Sequence, residues 1–283
     1  MIARDAGGVV ARDARDVFAR DAHGVIARVL TIAGSDSSGG AGIEADIKTI
    51  SALGGYACTA ITAVTAQNTT GVYGIHVLPG AFVRLSIETV LSDIGADAIK
   101  IGMLGNADIV RSVAAALPDN IPVVLDPVMI ATSGAYLLEP EAIAVLREEL
   151  IPRASLITPN LPETLALTGI SPAKPADFEN AGKALLGMGA KAALIKCGHG
   201  GEKIITDVLI HAGGMETFTH PRIAGSNTHG TGCTLASAIA TGLAQGMSLP
   251  DAVRRGCRYL QNAIAEAPGF GSGHGPLWHG VDG

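Results

Sequence analysis

A three-layer α/β/α fold with a mostly parallel central sheet is predicted by three features of the sequence. From Arg28 onward, short apolar runs alternate with helix-length amphipathic segments, the signature of successive βαβ units. Most of those runs are nearly continuous in apolar residues, as strands covered on both faces must be. The 37 glycines gather in short loops after the runs and form no repeat. Loops of that kind usually carry the chemistry.

The chain opens on an eight-residue repeat, ARDAGGVV (3–10), ARDARDVF (11–18) and ARDAHGVI (19–26). A period of eight suits neither a helix nor a strand, and it matches no solenoid unit. Residues 1–27 are therefore expected to be a disordered extension, or the product of a start site placed too far upstream, before a domain over 28–283. The first strand is expected over 29–33 (VLTIA) and the next over 57–65 (ACTAITAVT). Further apolar runs predict strands over 98–103, 123–126, 156–158, 193–196 and 203–210, with an antiparallel edge strand over 215–223. Between them, a 3.6-residue period predicts helices over 41–53, 80–92, 107–117, 140–150, 176–188, 231–245 and 250–266. No Pro/Ser-rich linker divides these elements, so one domain is expected.

Composition narrows the function. With 20 basic and 26 acidic residues the net charge is −6, and no Lys/Arg cluster marks a face for nucleic acid. No apolar stretch reaches the eighteen or so residues of a membrane span, and Arg alternates with Asp where a signal peptide needs an apolar core. A cytoplasmic protein without a membrane partner is expected. Cys58, Cys197, Cys233 and Cys257 are widely spaced with no CxxC pair, and they read as reduced thiols.

The strongest motif is NTHGTGC over 227–233, which runs straight into the apolar helix. Gly230 and Gly232 flank Thr231 and let the backbone approach a ligand, while free N–H groups at a helix start form an anion cradle. Cys233 falls in the first turn, where the helix dipole favours a thiolate and should bring its pKa down from about 8.5 toward neutrality. A base poised near neutral pH would result. Taken alone, such a cysteine also reads as a buried packing residue. The loop GSDSSGGAG over 34–42 follows the first strand but lacks GxGxxG spacing, and no GxxxxGK[ST] occurs anywhere.

Three more strand ends carry chemistry: Asp126 in VVLDPV, Asn160 with Glu163 in ITPNLPE, and Lys196 in ALIKCGH. Ligands of open parallel sheets bind beyond the carboxyl ends of strands, so these residues share a location. Asp126 and Glu163 suit a magnesium ion held partly through water, and Lys196 suits a phosphate. Each residue alone reads equally as a helix cap or a solvated charge. Gln67, in TAVTAQNT, offers an amide donor and acceptor to a planar heterocycle, or simply shapes a turn. Thr228 and His229 lie in the anion loop, as phosphate contacts or as turn structure. Cys58, Cys197 and Cys257 read as packing, and Trp278 as a residue that docks the glycine-rich tail.

Together, AGSDSSGGAGIEADIKT, AQNTTGV, IKIGML, DPVM, LITPNLPE and NTHGTGC, in that order between about 29 and 266, resemble the hydroxymethylpyrimidine/phosphomethylpyrimidine kinases of thiamine biosynthesis. These are members of the ribokinase-like superfamily, most of whose sugar kinases carry aspartate where this chain has the cysteine of GTGC. The resemblance implies transfer of the γ-phosphoryl group of ATP, with Mg2+, to 4-amino-5-hydroxymethyl-2-methylpyrimidine and then to its monophosphate. It implies Cys233 as general base and Gly230, Thr231 and Gly232 as the anion hole. Gln67, Gly34, Asp46 and Met103 would surround the pyrimidine. Lys196, Asn160, Thr228 and His229 would face ATP, with Asp126 and Glu163 on the metal. A homodimer is also implied. The chain departs from the family's usual pattern at Glu44, where glutamine is commoner, at Thr132, where lysine is, and at Cys197 and Gly200 after the strand lysine. A pyridoxal kinase is the nearest alternative, and Gln67 followed by Asn68 favours the pyrimidine. A catalytically silent binding module with the same fold would lack the base or the glycines, yet Gly230, Gly232 and Cys233 are all present.

Overall fold

A computed structural model describes residues 26–131, 134, 137–198 and 202–282. The repeat over 3–26 therefore falls, except for Ile26, outside the described residues, as do Thr132 and Gly200. Ala27, expected in the extension, is buried, and its carbonyl accepts a hydrogen bond from Tyr56 N at 2.8 Å.

The chain runs β1 (Arg28–Asp36), α1 (Gly42–Ala52), β2 (Tyr56–Asn68), β3 (Gly71–Val77), α2 (Gly80–Asp93), β4 (Ala98–Ile101) and α3 (Ala107–Ala116). It continues through β5 (Val123–Leu125), α4 (Pro140–Val145), β6 (Leu156–Ile157), α5 (Leu161–Thr168), α6 (Pro175–Gly187) and β7 (Ala192–Ile195). Last come β8 (Ile204–His211), β9 (Gly214–Pro221), α7 (Thr231–Ala244) and α8 (Leu249–Ala265). Among the described residues all nine strands form one sheet in the order β3-β2-β1-β4-β5-β6-β7-β8-β9. Pairing from β2 through β7 is parallel, whereas β3, β8 and β9 add antiparallel strands at the two edges.

Alternation along the central strands sorts side chains into two cores. Leu30, Ile99, Val123 and Leu125 point into a layer with Val83 and Ile87 of α2, Val110 and Val113 of α3 and Ala142 of α4. Their neighbours Val29, Val124 and Leu194 point into the opposite layer with Leu235 and Ile239 of α7 and Val253 and Cys257 of α8. Each central strand therefore needs apolar residues on both faces, which is why short continuous runs such as VVL form strands here.

Two elements were not expected from the sequence, β3 and α5. The expected helix over 140–150 is α-helical only to Val145, after which Leu146–Leu150 widens into a π turn ahead of Pro152. The edge strand expected over 215–223 is β9, antiparallel to β8 as anticipated. The tail docks differently from expectation. Leu277 and His279 are buried, but Trp278 is half exposed. Among the described residues no helix is long and apolar enough to cross a membrane.

Candidate active site

The carboxyl ends of the parallel strands and the amino end of α7 enclose a cleft of about 680 Å³. Gly34, Gln67, Met103, Asp126, Asn160, Glu163, Lys196 and residues 228–233 all line it, so the topology brings together most of the expected site residues. Asp46 is the exception. It is fully buried beneath the cleft, where it accepts hydrogen bonds from Lys100 Nζ at 2.8 Å to each oxygen and from Ser237 Oγ at 2.7 Å. Thr31 Oγ1 donates to it as well. Position 46 lies on the core-facing side of α1, so the carboxylate ties α1 to β4 and α7 and does not reach the cleft.

Two glycine loops meet backbone to backbone at the floor of the cleft. Gly230 caps α7 with φ +85°, a left-handed conformation, and a Cβ there would stand 1.9 Å from the carbonyl oxygen of Gly40. Gly42, at φ +57°, would likewise strike the Gly34 carbonyl at 2.2 Å. The two loops can approach this closely only without a side chain at Gly230, and the 34–42 loop can fold back on itself only without one at Gly42. The N–H groups of Gly232 and Cys233 have no acceptor among the described residues, as expected of the first turn of a helix. Free N–H groups at a helix start are the arrangement expected of an anion cradle.

That cradle faces charge. Lys196 Nζ donates to Asp126 Oδ1 at 2.6 Å, and Thr158 Oγ1 donates to the same oxygen at 3.1 Å. A Cβ on Gly232 would stand 3.2 Å from Asp126 Oδ2 and 3.3 Å from Lys196 Nζ. Burial works against the charge on Lys196, but Asp126 and Glu163 outweigh it and hold the pKa above the usual lysine value. Glu163 completes a capping box with Asn160. Asn160 Oδ1 accepts from Glu163 N at 2.8 Å, and Glu163 Oε2 accepts from Asn160 N at 2.8 Å. The helix-cap reading of these two residues thus holds alongside their place in the cleft wall. Burial, only partly offset by the Lys196 charge, lifts the Glu163 carboxyl to about 7.

Cys233 remains partly open to the cleft. Its pKa departs from the expectation of near neutrality. Burial pushes the thiol up to about 11, with the Asp46 and Asp126 carboxylates adding to the shift. Lys100 and the N–H of Gly42 pull the other way without overcoming it. The positive end of α7 is opposed by two anions that the local sequence does not reveal.

At the other end, Gln67, Met103 and the loop over 34–42 form a pocket. Gly34 sits so close to Met103 that a Cβ would stand 2.7 Å from its sulfur. His229, expected on the nucleotide side, lies here instead. Its Nε2 is 2.7 Å from Asp36 Oδ2 and 3.0 Å from the Gln67 amide. Glu44 anchors the same loop, accepting from Ser35 Oγ at 2.6 Å and Asp36 N at 2.8 Å. Thr228 is exposed at the rim, with its hydroxyl 3.4 Å from His274 Nδ1. Sequence reasoning missed Asp36 and Lys100, and it missed the far wall formed by Ile205, His220, Arg222 and Ile223 of the β8–β9 region.

Known proteins share much of this sequence and fold. Residues 36–278 match the model for the family described as phosphomethylpyrimidine kinase. The hydroxymethylpyrimidine/phosphomethylpyrimidine kinase of Bacillus subtilis is 46% identical over 255 residues, covering 89% of this chain and 94% of that protein. A thiamine biosynthesis bifunctional protein of Geobacter sulfurreducens is 48% identical over 255 residues. There the match covers 89% of this chain but only 52% of the relative, about half its length. Among solved structures, the pyridoxal kinase from Staphylococcus aureus in complex with ADP superposes with a TM-score of 0.83 at 33% identity. The match covers 91% of this chain and 94% of that one. The extent and identity of these matches show that the chain belongs to the phosphomethylpyrimidine kinase family.

Proposed function

We propose that the chain transfers the γ-phosphoryl group of ATP to the hydroxymethyl group of 4-amino-5-hydroxymethyl-2-methylpyrimidine, and then a second phosphoryl group to the resulting monophosphate. One observation carries this reading: the amino end of α7, with its unpaired amides, meets the Asp126–Lys196 pair in the same cleft as Cys233 and the Gln67 pocket. Phosphoryl transfer asks little covalent chemistry of a protein beyond in-line positioning and charge stabilisation. In this reading the amides of Gly232 and Cys233, backed by the dipole of α7, bind the transferring phosphoryl group. Lys196 adds a point charge to the nucleotide phosphates. The Cys233 sulfur accepts the hydroxyl proton late in the transfer. Gln67, Gly34 and Met103 hold the heterocycle, while Asn160 and Thr228 border the nucleotide. The adenosine end would extend toward Ile205, Arg222 and Ile223. The ADP complex of the Staphylococcus aureus pyridoxal kinase supports a nucleotide in this cleft.

The donor set fits magnesium. Asp126 Oδ1 takes both intramolecular hydrogen bonds, which leaves Oδ2 toward Gly232 and the cleft, with the Glu163 carboxyl nearby as a second hard oxygen ligand. When bound, magnesium supplies charge neutralisation for the phosphoryl oxygens.

The test is ADP release by the purified protein with magnesium and ATP, offering the hydroxymethylpyrimidine, its monophosphate and pyridoxal in parallel. Turnover of both pyrimidines is expected. A preference for pyridoxal would replace the substrate assignment, since the same scaffold serves that alcohol in the Staphylococcus aureus enzyme.

A further inference from the structure

We infer that His229, held by Asp36, is a positioning residue that fixes which way round the Gln67 amide sits, turning its NH2 group into the cleft toward a ring nitrogen of the heterocycle. The inference rests on the proposed pyrimidine substrate. Asp36 is nearly buried and saturated with donors. Its Oδ1 accepts from Ser38 N at 2.9 Å and Ser38 Oγ at 2.8 Å, and its Oδ2 from Gly40 N at 3.1 Å and Ala41 N at 2.8 Å. The hydrogen bonds from His229 and Ser38 outweigh burial and hold its carboxyl down at about 2, so it is an anion throughout the working pH range.

His229 Nε2 stands 2.7 Å from this anion. A carboxylate at that distance requires a hydrogen on the nitrogen it faces, whether the ring is neutral or protonated. Among the described residues no acceptor lies within hydrogen-bond reach of His229 Nδ1 to draw the proton to the other side. Nε2 therefore carries the ring hydrogen and faces both Asp36 Oδ2 and the near end of the Gln67 amide as a donor, never as an acceptor. The near end of the Gln67 amide, assigned as nitrogen, lies 3.0 Å from the same Nε2. An NH2 group there would set N–H against N–H, whereas a carbonyl oxygen would face a donor. The two ends of an amide are nearly identical in shape, so the hydrogen-bond network decides between them. It decides for the oxygen toward His229. The backbone at this point is already pinned, with Gln67 N donating to Ser37 Oγ at 2.8 Å and Ser37 Oγ donating to Gln67 O at 2.8 Å. Only the amide orientation is left for His229 to set.

Three measurements test this. Nitrogen–proton correlation spectra of the ligand-free chain are expected to show His229 with a hydrogen on Nε2, and a neutral Nδ1–H ring would overturn the inference whatever the substrate proves to be. His229→Leu is expected to raise KM for the pyrimidine roughly 10- to 100-fold with KM for ATP within about twofold, because a mis-set amide leaves the ring nitrogen unpaired. His229→Gln, which keeps N–H donors for both neighbours, should recover most of that loss. If both KM values move together and glutamine rescues nothing, the role is merely structural. Gln67→Glu keeps an acceptor toward His229 but has no NH2 group, so its pyrimidine KM should rise about 100-fold. An unchanged KM would mean that the carbonyl faces the ligand. Absence of pyrimidine turnover in the unmodified chain would overturn the proposed function, and the tautomer spectrum would still judge His229.

Discussion

Lys196 Nζ donates to Asp126 Oδ1 at 2.6 Å, directly beneath the point where Gly232 brings the first turn of α7 over the pair. A cation, an anion and a row of free amides thus converge where a nucleotide's terminal phosphates would pass. Removing the cation leaves Asp126 and Glu163 as neighbouring buried acids with no counter-charge. Lys196→Met is therefore expected to cost about 3 kcal/mol of stability and to lower turnover about 100-fold or more. Urea unfolding and steady-state kinetics on the same preparation check both.

The Asp46–Lys100 pair gives a different signature. Both side chains are fully inaccessible and neither lines the cleft. Asp46→Ala strands the Lys100 charge in the core, so a loss of about 3–5 kcal/mol is expected, with KM for the pyrimidine within about twofold in the folded fraction. A large rise in KM with unchanged stability would restore Asp46 to the substrate pocket.

The contrast between these two pairs shows what was legible in the sequence. The alternation of apolar runs gave the central strands because each is buried on both faces, and NTHGTGC announced a helix-start cradle because glycines and helix lie within a few residues of one another. Asp46 was misplaced because its environment comes from Thr31, Lys100 and Ser237, the last 191 residues away. The His229–Asp36 contact spans 193 residues and leaves no local trace. β3 was hidden by its two glycines and its mostly exposed edge position. α5 was hidden because Asn160 and Glu163 looked like site residues, when the pair also starts a helix of only eight residues.

Gly230 tests how the two glycine loops depend on each other. A methyl group at this position would meet the Gly40 carbonyl at 1.9 Å, and the left-handed φ adds strain of its own. Gly230→Ala is expected to destabilise the fold by more than about 2 kcal/mol and to abolish turnover, since the cradle must move off the Gly40 loop. Gly246, also at positive φ but with open space around its Cβ position, is the control. Gly246→Ala should cost about 1 kcal/mol, from backbone strain alone. Denaturant midpoints for the two variants give the comparison directly.

The Cys233 thiol, pushed up to about 11, separates the two phosphorylation steps. The hydroxymethyl group must give up its proton in the course of the transfer, so its phosphorylation needs the base. A phosphate monoester is already largely dianionic above its second pKa of about 6 and does not. Because the folded pKa is raised, the thiolate is scarce at neutral pH, and kcat/KM for the alcohol should climb about tenfold per pH unit above pH 7. The step on the monophosphate should stay flat over the same range. The same shift makes the thiol a source of stability that is present below about pH 8.5 and is lost as the pH rises toward 11, so the profile is best followed to about pH 9.5. Cys233→Ala should then reduce turnover of the alcohol by about 100- to 10,000-fold, while leaving phosphorylation of the monophosphate within about tenfold. Equal losses on both substrates would show that the sulfur positions the phosphoryl group and does not take the proton.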